Sequence, residues 1–74
     1  MQVKIYSKPD CSFCEKAKNL CRLRQIPYDE IVVGVDITRN ELLELFPEAK
    51  TVPQIVVDDD SIGGYNELKK RLGY

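Results

Sequence analysis

The sequence predicts an α/β domain in which a mixed four-stranded β-sheet is flanked by three α-helices, and three observations lead there. Short runs rich in β-branched residues alternate with stretches of helical periodicity in the order β-α-β-α-β-β-α. A strand, a helix and a second strand in succession imply a parallel crossover. An acidic turn between the last two strands implies an antiparallel hairpin, so one sheet must contain both pairings.

Val3 and Ile5, flanked by Gln2, Lys4 and Tyr6, form the first strand, which ends at the loop Ser7-Lys8-Pro9-Asp10. From Ser12 to about Arg24 the residues Phe13, Ala17, Leu20, Cys21 and Arg24 recur at helical spacing. Glu15, Lys16, Lys18, Asn19 and Arg22 fill the polar positions, with no glycine or proline. Gln25-Ile26-Pro27 stops this helix, because the residue before a proline avoids the α region. Tyr28 to Val33 then reads as a second strand.

Thr38 can cap a second helix over Arg39 to Phe46, with Glu41 three residues on completing a capping box and Pro47 ending it. Gln54 to Val57 is the third strand, Asp58-Asp59-Asp60 the turn, and Ser61-Ile62 a short fourth strand before Gly63-Gly64. A last helix runs from about Tyr65 to Leu72. The 74 residues contain no repeat, linker or low-complexity tract and form one domain over 1–74. A chain of this size buries only about 60% of the surface that it exposes when unfolded, so its core must be compact.

Eleven basic residues balance twelve acidic ones, for a net charge of −1, and the basic ones are scattered among acids. That distribution argues against nucleic acid or an anionic membrane as partner. The apolar run at the start is broken by Lys4 and followed by charges, which does not resemble a signal peptide, and no stretch reaches transmembrane length. A cytoplasmic location is expected. Three cysteines are too few, and odd in number, for a secreted disulfide scaffold.

The chemistry concentrates in Cys11-Ser12-Phe13-Cys14, between the first strand and the first helix. A dithiol at that position reads as a redox site, because a helix N-terminus and a nearby cation such as Lys8 can lower a cysteine pKa from ~8.5 to roughly 3.5–7.5. Cys11 is placed as the nucleophile, at the N-cap or first turn. Cys14 lies three residues on and less exposed, as the resolving thiol. The competing chemistry is zinc. With no histidine and only Cys21 remaining, one chain cannot assemble a four-ligand Cys/His site. Cys21 is expected in the core as a small hydrophobe. Pro53 marks the first position of a strand, and Gly63-Gly64 is either plain turn chemistry or a close backbone approach to an anionic ligand.

Taken together, Cys11-Ser12-Phe13-Cys14, Thr51-Val52-Pro53-Gln54 and Ile62-Gly63-Gly64-Tyr65 resemble the glutaredoxin family in order and spacing over essentially the whole chain. The resemblance implies a thioredoxin-like fold with Pro53 cis, holding the Val52 backbone beside the active site to pair with bound glutathione. It implies that Lys8 and Arg39 hold the glycine carboxylate, that Tyr6 and Phe13 flank the sulfur, and that Gly64 and Asn66 meet the γ-glutamyl end. The implied enzyme is a glutathione-dependent thiol–disulfide oxidoreductase. It would act as a monomer on protein disulfides and glutathionylated proteins, with glutathione as co-substrate and no tightly bound cofactor.

Two departures from the family pattern stand out. Many relatives carry proline then tyrosine between the cysteines, where this chain has Ser12 and Phe13. Many carry an aspartate for the glutathione amino group, where Asn66 offers a neutral amide and loses a charge-assisted hydrogen bond. Ser12 keeps open an alternative implied by the same resemblance, a dimer sharing a [2Fe–2S] cluster through Cys11 and two glutathiones. A further alternative is a dedicated electron donor, for instance to ribonucleotide reductase, recharged by thioredoxin reductase.

Overall fold

The computed structural model describes residues 1–73, and its elements follow the predicted order: β1 (Val3–Ser7), α1 (Ser12–Leu23), β2 (Tyr28–Val32), α2 (Arg39–Leu45), β3 (Gln54–Val57), β4 (Asp60–Gly63) and α3 (Tyr65–Arg71). The strands lie in the order β2-β1-β3-β4. β1 is therefore central, parallel to β2 in the register Ile5↔Glu30 and antiparallel to β3 in the register Ile5↔Ile55. The parallel pair is joined through α1, as a crossover requires.

Alternation decides which side of β1 is buried. Val3, Ile5 and Ser7 point to one face and are 2%, 0% and 1% exposed, and Ile55 and Val57 on β3 join them. Ala17, Leu20 and Cys21 of α1 and Leu68 and Leu72 at α3 close over this face to form the core. The ends of the two helices are tied together where the Arg24 guanidinium donates to the Leu72 carbonyl. On the other face Tyr6 meets Phe46, just after α2, with ring centroids 5.1 Å apart.

Cap chemistry sets the boundaries. α1 ends one residue earlier than Arg24 because Gln25 adopts a left-handed conformation (φ 57°). The Ile26 N–H then bonds to the Cys21 carbonyl and the Gln25 N–H to the Arg22 carbonyl, a Schellman closure. The predicted capping box is present: Glu41 N–H donates to Thr38 Oγ1 at 3.0 Å and Thr38 N–H donates to Glu41 Oε1 at 2.9 Å. α2 stops at Leu45, with Phe46 as its C-cap.

The acidic turn needs only two residues. Asp58 and Asp59 both have positive φ (48° and 71°), and Asp60 already pairs with Val57, giving β4 one more residue at each end than Ser61-Ile62. Asp58 is also tied to Gln2, donating its N–H to the Gln2 carbonyl and accepting from the Gln2 N–H. The register shift between Ile55 and Val56 leaves Ile62 unopposed. Gly63, at φ 107°, turns the chain out of this bulge toward α3.

Candidate active site

Cys11 and Cys14 stand where β1 hands over to α1, at the carboxyl end of the central strand. Cys11 is the N-cap of α1, and its Sγ accepts a hydrogen bond from the Cys14 N–H at 3.2 Å. A disulfide joins the two residues, whose Cα atoms are 5.2 Å apart. Cys11 is half-buried and Cys14 only 1% exposed. Cys11 is the sulfur that an incoming thiol or disulfide can reach. A donor already aimed at that sulfur favours its charged form once the disulfide is reduced.

Val52 faces the pair. Its peptide bond to Pro53 is cis, and its carbonyl oxygen lies 3.7 Å from Cys11 Sγ. Around Val52 two grooves meet, both lined by Lys50, Thr51 and Val52. The first, about 310 Å³, is also lined by Lys8, Arg39 and Leu42. The second, about 550 Å³, is also lined by Phe13, Glu48, Pro53, Gly64, Asn66 and Glu67. Both volumes fall in the range of about 300–1,000 Å³ typical of small-ligand clefts.

The fold therefore gathers Lys8, Arg39 and Val52 in one groove and Phe13, Val52, Pro53, Gly64 and Asn66 in the other, from five separate segments of the chain. Phe13, placed on the apolar stripe of α1 by periodicity, is in fact 51% exposed, and Cys14 takes the buried position beside it. The Phe13 ring lies 6.2 Å from that of Tyr65, with Lys16 Nζ 4.8 Å from its centroid. Tyr6, expected beside the sulfur, lines neither groove, and its ring packs edge-on against that of Phe46.

Sequence reasoning missed Lys50 and Glu67. The first directly precedes Thr51-Val52 and adds a third cation to the first groove. The second follows Asn66 and adds a carboxylate to the second groove. The adjacency of each to a singled-out motif was the available signal. Gly64 lets the backbone come close at this point. A Cβ there would meet the Pro53 carbonyl oxygen at 3.5 Å, an ordinary contact, so the protein itself does not demand glycine.

A polar cluster joins the end of β1, α1 and β2. Lys18, assigned by periodicity to the polar face of α1, is 8% exposed. Its Nζ bonds Glu15 Oε1 at 2.7 Å and Glu30 Oε2 at 2.8 Å, and Ser7 Oγ donates to the same Glu30 oxygen at 2.8 Å. Hydrogen bonds to Glu15 and Glu30 raise the Lys18 pKa above its ordinary value. Those from Lys18 and Ser7 lower that of Glu30. Burial alone pushes the Cys21 thiol up, which fits a residue packed in the core.

Comparison with known proteins agrees with this geometry. The glutaredoxin family profile matches residues 3–62. The chain is 35% identical over 68 residues to the hybrid peroxiredoxin hyPrx5 of Haemophilus influenzae, covering 92% of this chain but only 28% of that longer protein. It is 32% identical over 66 residues to glutaredoxin 3 of Escherichia coli K12, covering 89% of this chain and 80% of that one. A buckwheat glutaredoxin solved in complex with glutathione superimposes with a TM-score of 0.78 at 26% identity, over 96% of this chain and 69% of that chain.

Proposed function

Because the chain belongs to the glutaredoxin family, and so is a thiol–disulfide oxidoreductase with a thioredoxin-like fold, we propose that glutathione is its reductant and that Cys11 is the nucleophile. The observation that carries this reading is the charge layout of the two grooves that meet at Val52, 3.7 Å from Cys11 Sγ. Glutathione carries a carboxylate at each end and an ammonium at one. A groove with Lys8, Arg39 and Lys50 suits the glycine carboxylate. A groove with Lys50, Asn66, Glu48 and Glu67 suits the γ-glutamyl end, where both signs must be met. The Val52 backbone lies between them, in place to pair with the cysteinyl residue.

In this reading the Cys11 thiolate attacks the glutathione sulfur of a mixed disulfide. The Cys11–glutathione bond forms as the substrate's bond breaks, and the substrate thiolate leaves and takes a proton. Either a second glutathione thiolate attacks the new disulfide and releases oxidised glutathione, or Cys14 attacks Cys11 and expels glutathione. The second route gives the Cys11–Cys14 disulfide present in the structure, which two further glutathiones reduce. Substrates are glutathionylated proteins and protein disulfides reached from the open side of Cys11.

The test is turnover of a glutathione mixed disulfide by the purified protein, coupled to glutathione and glutathione reductase. Cys11→Ser is expected to abolish it, while Cys14→Ser retains the route through a second glutathione. Turnover with thioredoxin reductase but none with glutathione would overturn the reading in favour of a dedicated electron donor.

A further inference from the structure

Among the described residues the buried polar side chains are Ser7 and Lys18, and both bind one atom, Glu30 Oε2, at 2.8 Å. Ser7 ends β1, directly before the loop that carries Cys11. Lys18 stands one helical turn below Cys14, on the buried stripe Cys14–Lys18–Cys21 of α1. Side chains so spaced have Cβ atoms about 5–6 Å apart. Taking an ammonium out of water is costly, and an apolar residue would fill the same stripe without that cost.

We propose that Lys18, fixed in place by Glu30 and Ser7, is a positioning residue for the resolving step, stabilising the Cys14 thiolate as it attacks the Cys11–glutathione disulfide. The role rests on the assignment of Cys14 as resolving thiol. In that step the Cys14 S–H gives up its proton and the Cys14–Cys11 bond forms. The Cys11–glutathione bond breaks with its electron pair on the glutathione sulfur, which takes up a proton. Cys14 is 1% exposed, and burial without a nearby cation disfavours its thiolate. The charged and titratable groups within about a turn of Cys14 along the chain are Asp10, Cys11, Glu15, Lys16 and Lys18, and Glu30 on β2 reaches Lys18. Of these, Lys18 is the buried cation. Glu30 has two effects of opposite sense: it holds the ammonium in place, and its own negative charge opposes the thiolate.

The pH midpoint of Cys14 ionisation, read from its 13Cβ chemical shift in a Cys11→Ser background, tests this. Lys18→Met is expected to move the midpoint up by about one pH unit and Lys18→Arg to restore it. In the dithiol protein, Lys18→Met should slow release of glutathione from the Cys11 mixed disulfide about threefold at neutral pH, because the roughly tenfold smaller thiolate fraction is partly offset by the greater nucleophilicity of a more basic thiolate. A purely structural contact would leave the midpoint where it is in Lys18→Met, or would shift it without Lys18→Arg restoring it, and either result overturns the role. Should Lys18→Met not fold, Lys18→Gln, which keeps a polar side chain at the position without the charge, carries the same expected upward shift and decides the matter. A wild-type protein that releases no glutathione intramolecularly overturns the assignment of Cys14 itself, and this role with it.

Discussion

Lys18, Glu30 and Ser7 bring the site's chemistry down to single residues. Glu30 ionises below the ordinary carboxyl range because Lys18 and Ser7 donate to it. Its pairing therefore contributes stability above the unfolded pKa of about 4.3 and loses it as pH falls through the lower folded value. Lys18 runs the other way: raised by its carboxylate partners, it contributes below about 10.4 and loses that contribution as pH rises through its folded value. Glu30→Gln should flatten the acid limb of the stability profile, which urea unfolding between pH 3 and pH 7 would measure; an unchanged slope would count against the pairing. Gly64 offers a cleaner probe of the ligand. Since a methyl there meets only an ordinary contact with Pro53, Gly64→Ala should leave the unfolding midpoint nearly unchanged. It should raise KM for glutathione severalfold if the ligand backbone approaches at that point. An unchanged KM would place the γ-glutamyl end elsewhere.

At the scale of elements, caps and turns explain both what could be read in advance and where the ends moved. The Thr38/Glu41 box was legible because two side chains three residues apart satisfy each other's backbone without help from the rest of the fold. The sequence places the stop of α1 at Gln25-Ile26-Pro27 on the strength of the proline, and the residue that turns the chain is Gln25, in the left-handed region. That conformation costs a residue with a Cβ roughly 1–2 kcal/mol, part of which glycine returns through its freedom in the unfolded chain. Gln25→Gly should therefore stabilise the protein by up to about 1 kcal/mol, readable as a higher urea midpoint at constant slope. A lower midpoint would mean that the Gln25 side chain contributes more than its backbone strain costs. β4 lengthened for a similar local reason: Asp58 and Asp59 alone make the turn, which frees Asp60 to pair.

For the whole molecule, β1 is the axis, hydrogen-bonded on both edges and covered on its buried face by α1 and α3. Ile5 is 0% exposed at the middle of that strand. Ile5→Ala should cost roughly 2–5 kcal/mol, a large share of the about 4–11 expected for a chain of this length. Urea unfolding checks it, and a loss below 1 kcal/mol would mean that the core collapses around the gap. The sequence by itself determined the seven elements, their order, the mixed pairing and the redox pair. Each of these depends on short-range periodicity, cap and turn chemistry, or motif spacing. Only the tertiary structure decided that β1 lies between β2 and β3, and that Phe13 faces solvent while Lys18 is buried. It alone placed Lys50 and Glu67 in the grooves beside Val52. A helix repeat of 3.6 residues shows which side chains share a face, but the partner that covers that face comes from distant segments. Glu30, twelve residues on from Lys18 in sequence, makes a buried ammonium tolerable only once β2 has docked beside β1.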